Sequence, residues 1–131
     1  MPRRDWSWVT LDVAATAHAE QLAEHGGGEG VPDVTLLESA MARPSNLAAY
    51  GKPDAAALAA AYAFGIARNH PFVDGNKRTA LVVSETFLIL NGYRLTASDA
   101  ELVVAFVALA AGELSEEETA DWFRERVEKV D

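Results

Sequence analysis

One short stretch holds most of the side chains in this sequence that could perform polar chemistry. Residues 69–81 read NHPFVDGNKRTAL, and the segments on both sides of them are almost wholly apolar. His70 could remove a proton from an attacking hydroxyl, because histidine titrates near neutral pH. Asp74 could hold Mg²⁺, which commonly binds one or two carboxylates together with substrate oxygens. The pairing of a base with a metal ligand indicates group-transfer chemistry.

The second half of the stretch has the composition of a phosphate-binding site. Gly75 would let the backbone approach an anion closely, and Asn76 could donate from its amide. Lys77 and Arg78 add two cations, and an arginine can bind phosphate in bidentate fashion. Together these residues predict a cradle for a polyphosphate.

Each residue also has an ordinary structural explanation. Asp74 and Asn76 could cap a helix, which is the commoner use of these residue types. Lys77 and Arg78 could be solvated surface charges, and His70 could be a core histidine satisfied by hydrogen bonds. Each explanation is reasonable alone, but all of them together in one short stretch are much less so.

Apolar spacing and helix-capping signals predict an all-α fold of about six helices, with no convincing strand outside residues 43–53. The predicted helices cover residues 9–25, 34–41, 55–68 and 76–90, and two more begin at the capping boxes Ser98/Glu101 and Ser115/Glu118. Residues 43–53 are predicted to form an exposed loop or small hairpin. The polar stretch therefore falls between two buried helices, at the N-terminus of the second, where unpaired backbone N–H groups favour an anion.

Length, charge and cysteine content narrow the class of protein. The 131 residues fit a single domain, residues 1–131, with a real hydrophobic core. The net charge of −9 argues against direct nucleic-acid binding, because phosphate backbones bind basic surfaces. The absence of cysteine excludes disulfides and thiolate metal sites. No apolar run approaches the length of about 18 residues that a membrane span needs, so we expect a soluble, cytoplasmic protein without membrane association.

The stretch HPFVDGNKRTA closely resembles the signature loop of the Fic/Doc family, and specifically the Doc (death on curing) branch of toxin–antitoxin toxins. The general Fic pattern is H-x-F-x-[DE]-G-N-G-R-x-x-R, and the matching positions are His70, Phe72, Asp74, Gly75, Asn76 and Arg78. The resemblance extends to HGGGEGVPDVTLLESAMARPSN and FLILNGYRL, so it covers most of the chain. It implies a Fic-fold helical bundle in which residues 43–53 correspond to the flap that aligns the target protein.

Two departures from the general Fic pattern agree with the Doc branch. Lys77 stands where most Fic proteins have glycine, and Leu81 stands where they have a second arginine. Fic enzymes with the full motif typically transfer AMP, whereas Doc proteins bind ATP in a reversed orientation and transfer its γ-phosphate to a threonine of elongation factor Tu. The resemblance therefore implies a Doc-like kinase using ATP and Mg²⁺. The alternatives are a Fic-type adenylyltransferase and a non-catalytic binding module.

The resemblance also implies roles for individual residues. His70 would be the base and Asp74 the magnesium ligand. The three phosphate anchors would be Asn76, Lys77 and Arg78. Arg68 could support the loop or contact phosphate, or it could simply be a cation favoured by the dipole at a helix C-terminus.

Regulation is expected from a separate protein. Many Fic proteins carry an inhibitory helix with the pattern [ST]-x-x-x-E-[GN], and this sequence contains no such motif. In the Doc branch the inhibitor is a Phd-like antitoxin whose flexible C-terminal segment folds onto the toxin.

Overall fold

Six helices and two short strands make up most of the computed structural model, which describes residues 5–27 and 33–130. In chain order they are α1 Leu11–His25, α2 Val34–Tyr50, α3 Ala55–Asn69, α4 Asn76–Leu90, β1 Tyr93–Leu95, α5 Asp99–Ala110, α6 Glu116–Arg124 and β2 Val127–Lys129. The prediction of a mainly helical fold is confirmed. No helix in the described part of the chain is both long and apolar enough to cross a membrane.

Helix α3 forms the centre of the molecule and packs against α2, α4, α5 and α6. Its many alanines let neighbouring helices approach closely, and its larger side chains Leu58, Tyr62 and Ile66 are fully buried. The Tyr62 hydroxyl accepts a hydrogen bond of 2.9 Å from the N–H of Val9, and burial raises the pKa of this phenol to about 12. The segment before α1 is therefore fastened to the central helix.

Helix α2 continues well beyond its predicted end, so the prediction of a loop or hairpin for residues 43–53 is wrong as far as Tyr50. Pro44 lies inside this helix and lacks the N–H that would bond the carbonyl of Ala40. Gly65 of α3 packs directly here, since a Cβ at Gly65 would lie only 3.2 Å from that carbonyl oxygen. Close packing against α3 keeps α2 helical through a residue that normally ends or kinks a helix.

The two strands were not predicted, because each has only three residues and its partner lies far along the chain. Tyr93–Leu95 pairs with Val127–Lys129 in an antiparallel arrangement, with Arg94 opposite Glu128. These two side chains form an ion pair of 2.9 Å on the exposed face. The pair of strands connects the end of α4 to the end of α6.

Candidate active site

The candidate site is the connection between α3 and α4, and it begins with a strained residue. His70 ends α3 with a left-handed backbone (φ 49°, ψ 56°), and its N–H donates to the carbonyl of Ile66 at 3.2 Å. A side chain larger than hydrogen costs energy in this conformation, whereas glycine adopts it freely. His70 is exposed to solvent, so it is not a core histidine, and its role as a base stays a prediction. The left-handed conformation and the hydrogen bond to Ile66 together form a helix C-cap, which fixes the point where the loop leaves α3.

Two buried residues after His70 anchor the loop to other helices. Pro71 is fully buried, and its carbonyl accepts a hydrogen bond of 2.7 Å from the N–H of Asp33, the residue that caps α2. Phe72 is 5% exposed and stacks on the ring of His18 from α1, with ring centroids 3.8 Å apart. The loop is thus held by α1 on one side and by the start of α2 on the other.

The side chain of Asn76 closes the loop. Its Nδ2 donates to the carbonyl of Phe72 at 2.9 Å, and its Oδ1 accepts from the N–H of Phe72 at 3.1 Å. This amide was predicted to donate to phosphate, but the structure places it against the loop backbone, with Asn76 only 8% exposed. The part of Asn76 best suited to an anion is therefore its backbone N–H at the start of α4.

The N-terminus of α4 presents backbone donors that no described side chain caps. Gly75 occupies the N-cap position with φ 80° and ψ 15°, and no side-chain capping hydrogen bond is made there. The first helical bond runs from the N–H of Thr79 to the carbonyl of Gly75, at 2.9 Å. The N–H groups of residues 76–78 therefore precede the helical hydrogen-bond ladder and carry the positive end of the helix dipole. Such a terminus binds phosphate or carboxylate.

Two cationic side chains lie at the same helix end. Lys77 and Arg78 are both exposed, and among the residues the structure describes neither forms an ion pair. Cations that are not neutralised by neighbouring carboxylates remain available to an anionic ligand. Their role as phosphate anchors stays a prediction.

Asp74 lies immediately before this helix end. Its Oδ1 accepts a hydrogen bond of 2.8 Å from the N–H of Gly75, and the residue is exposed. The glycine turn after α1 approaches the same carboxylate, because a Cβ at Gly27 would lie 3.0 Å from Asp74 Oδ2. One exposed carboxylate beside a phosphate-binding helix end suits Mg²⁺, which takes its remaining ligands from substrate and water oxygens. The residues present therefore fit the predicted cation.

Arg68 is directed toward other parts of the molecule. Its guanidinium lies over the ring of Phe64, 5.3 Å from the centroid, and beside Gly112 in the turn between α5 and α6. The guanidinium of Arg43 lies over the same ring at 5.1 Å. These contacts favour a packing role for Arg68, and its contact with phosphate stays a prediction.

His18 is the contributor that the motif did not reveal. Its Nε2 lies 2.8 Å from the backbone carbonyl of Asp74, and the residue is 9% exposed. A polar side chain on the apolar face of α1 was the one signal for it, and that signal fits an ordinary buried histidine equally well. Its partner is 56 positions away, so the contact arises only from the tertiary fold.

Comparison with known proteins shows to which family the chain belongs. A Fic/DOC family model matches residues 8–88, which include α1, the loop and most of α4. The chain is 35% identical to Protein kinase doc of Escherichia phage P1 over 117 residues, covering 88% of this chain and 92% of that protein. It is 47% identical to Toxin Doc of Mycolicibacterium smegmatis over 75 residues, which span 55% of this chain and 57% of that toxin. The chain therefore belongs to the Fic/DOC family.

Proposed function

We propose that this protein is a Doc-like toxin that transfers the γ-phosphate of ATP to a hydroxyl of a translation factor, elongation factor Tu being the expected target, and so blocks translation. The names of the two relatives, a toxin and a protein kinase, support this proposal. The observation that carries it is the N-terminus of α4, preceded by Asp74 and followed by Lys77 and Arg78, where the described residues provide neither a side-chain cap nor an ion pair for the two cations.

The helix end would bind the phosphates of ATP. The backbone N–H groups of residues 76–78 would donate to phosphate oxygens, and Arg78 could add a bidentate contact. Asp74 would hold Mg²⁺, which when bound spreads and neutralises the negative charge of the phosphate groups. Positioning of this kind supplies most of the catalysis in phosphoryl transfer.

His70 would act as the base. Its exposed imidazole at the end of α3 can be reached by a hydroxyl on a protein substrate. The hydroxyl oxygen forms a bond to the γ-phosphorus, the bond from that phosphorus to the β–γ bridging oxygen breaks, and ADP leaves. His70 receives the proton of the hydroxyl, a contribution worth ~10²–10⁴-fold in rate.

The two departures from the general Fic pattern favour transfer of the γ-phosphate over transfer of AMP. Leu81 is half-buried and packs against the core, so the position that carries a second arginine in the full motif offers no ligand to distal phosphates. Lys77 adds bulk and charge where glycine would admit a phosphate to the backbone. Both changes alter which phosphorus lies in line with the attacking hydroxyl.

Control by an antitoxin completes the proposal. A Phd-like protein encoded as the partner would bind the toxin in the cytoplasm and restrain it until the antitoxin is lost. Its flexible segment would gain structure only on binding, as expected for coupled folding.

Incubation of the purified protein with elongation factor Tu and ATP labelled at either the α- or the γ-phosphate tests the proposal. We expect label on the factor from γ-labelled ATP alone, and none with the His70→Asn variant. Label from the α position alone would instead show AMP transfer. If neither label is transferred and His70→Asn is as toxic as the parent in cells, the protein is a binding module.

A further inference from the structure

Helix α1 contributes a side chain to the loop that carries the proposed metal ligand. The Nε2 atom of His18 lies 2.8 Å from the backbone carbonyl oxygen of Asp74. A carbonyl oxygen can only accept a hydrogen bond, so the nitrogen must carry a proton and donate it. Both the neutral Nε2–H form and the protonated imidazole can make this bond.

The imidazole of His18 is fixed in orientation as well as in position. Its ring lies almost parallel to that of Phe72, with an interplanar angle of 7°. A Cβ built on Gly75 would lie 3.5 Å from its Cδ2 atom, so the ring edge also faces the start of α4. The ring therefore contacts the loop at Phe72 and Asp74 and lies near Gly75, which leaves the donor little freedom to turn away.

The two hydrogen bonds around Asp74 share one peptide unit. His18 donates to the carbonyl oxygen of the peptide that joins Asp74 to Gly75. The N–H of that same peptide donates to Asp74 Oδ1 at 2.8 Å. Because a trans peptide is planar, its C=O and N–H point in opposite directions and cannot turn independently. Holding the carbonyl therefore fixes the N–H that orients the carboxylate.

We infer that His18 is a positioning residue, which sets the direction of the Asp74 carboxylate toward the divalent cation through this shared peptide. The inference rests on the proposed function, because it concerns the same metal-nucleotide site. His18 itself touches neither substrate nor metal in this scheme. Residues that orient metal ligands in this way typically change metal affinity or activity by ~10–100-fold when replaced.

Three substitutions separate the hydrogen bond from the packing. His18→Phe keeps an aromatic ring against Phe72 but removes the donor. His18→Gln carries an N–H donor as many bonds from the backbone as Nε2 of histidine, whereas the side chain of His18→Asn is one bond shorter. We would measure binding of Mn²⁺, in place of Mg²⁺, with a non-hydrolysable ATP analogue by electron paramagnetic resonance of free Mn²⁺, and the melting temperature of each variant.

The expected result is Mn²⁺ affinity ~10–100-fold weaker in His18→Phe and His18→Asn, with recovery in His18→Gln. Parental affinity in His18→Phe and His18→Asn would overturn the inference and leave the proposed function intact. Equal weakening in all three variants would also overturn it, because the donor would then be irrelevant. If His18→Phe does not fold, the comparison of glutamine with asparagine decides the question. A parent protein that binds no Mn²⁺ with the nucleotide contradicts the proposed function, and the inference falls with it.

Discussion

The N-termini of α3 and α4 differ in whether a side chain caps the unpaired backbone N–H groups of the first turn. Helix α3 begins after Asp54, whose carboxylate accepts a hydrogen bond from the N–H of Ala57 at 2.9 Å. The same carboxylate forms an ion pair with Arg124 at 2.8 Å. Helix α4 begins after Gly75, which has no side chain to offer. A side chain caps the first helix end, whereas among the described residues none caps the second.

The remaining helices follow the pattern of α3. Side chains accept from the first-turn N–H groups of α1, α2, α5 and α6, and the capping residues are Thr10, Asp33, Ser98 and Ser115. Among the six helices that the structure describes, α4 is the exception. A capping side chain is worth ~1 kcal/mol, so its omission at α4 gives up stability at the position where the proposed site needs open backbone donors.

The arginines show the same contrast. Arg43, Arg94, Arg124 and Arg126 each form an ion pair with a carboxylate. Within residues 5–27 and 33–130, Arg78 forms none. The four paired arginines link elements of the fold. Arg68 also lacks an ion pair within the described residues, but its guanidinium lies over an aromatic ring of its own helix. Arg78 at the start of α4 has neither kind of contact among the described residues.

The largest expected effect comes from removing the proposed base beside the open helix end. Asparagine tolerates the left-handed backbone of residue 70, so His70→Asn removes the imidazole with little added strain. We expect phosphoryl transfer to fall by ~10²–10⁴-fold, with the melting temperature close to that of the parent. Transfer assays with γ-labelled ATP and thermal unfolding measure the two quantities. Parental activity in this variant would remove His70 from the mechanism.

Replacement of the proposed metal ligand should have the next largest effect. Asp74→Asn keeps an oxygen that can accept from the N–H of Gly75 but removes the negative charge. We expect Mn²⁺ binding with nucleotide to weaken by at least ~10-fold, since even the residues that orient metal ligands have effects of this size. The melting temperature should hardly change. A large loss of stability with unchanged Mn²⁺ affinity would show that Asp74 acts as a cap, like Asp54.

A negatively charged side chain at position 75 tests whether the N-terminus of α4 binds the triphosphate. Asparagine and aspartate both tolerate a left-handed backbone, so Gly75→Asn and Gly75→Asp differ mainly in charge. Two unit charges 4 Å apart in water interact by ~1 kcal/mol, which corresponds to about 5-fold in affinity. We therefore expect Gly75→Asp to bind the ATP analogue about 5-fold more weakly than Gly75→Asn in calorimetric titrations at low salt. Equal affinities would mean that the triphosphate binds elsewhere.

A substitution at the capped N-terminus of α3 should lower the stability of the fold slightly and leave phosphoryl transfer unchanged. The hydrogen bond from Arg124 holds the pKa of Asp54 below its ordinary value of 3.8. A depressed pKa in the folded state contributes stability above pH 3.8, and this contribution is lost as the pH falls through the lower folded value. Asp54→Asn preserves the cap but lacks this charge, so we expect a loss below ~1 kcal/mol at neutral pH. We also expect the free energy of unfolding to fall less steeply in acid.

Urea unfolding at several pH values measures this difference, and the transfer assay provides the control. Phosphoryl transfer by Asp54→Asn should equal that of the parent. Lowered transfer would show that the end of α3 near Asp54 communicates with the site at its other end, contrary to the division of roles described above.

Local chemistry was enough to predict most of the helices. Both capping boxes are present, and α4 has its predicted bounds, because capping residues act within one turn of the chain. The extension of α2 through Pro44 was not predictable in this way. A proline reads locally as a helix end, and the packing of Ala40 against Gly65 that overrides it joins residues 25 positions apart in the chain.

The same distinction between local signals and tertiary contacts applies to the candidate site. The residue types and their order predicted a phosphate site at the start of a helix. The structure places Gly75, Lys77 and Arg78 at the N-terminus of α4, and their binding to phosphate stays a prediction. The tasks of individual side chains depended on tertiary contacts. Asn76 turned out to close the loop, and His18 reaches it from α1.

The central claim is that the phosphates of ATP and a divalent cation bind at the N-terminus of α4. Crystals grown with Mn²⁺ and a non-hydrolysable ATP analogue, with anomalous scattering to locate the metal, test it most directly. We predict a manganese peak beside the Asp74 carboxylate and phosphate oxygens within hydrogen-bonding distance of the N–H groups of residues 76–78. An ordered nucleotide elsewhere, for example in the apolar groove of α5 and α6 lined by Val104 and Trp122, with nothing bound at Gly75, would contradict the claim.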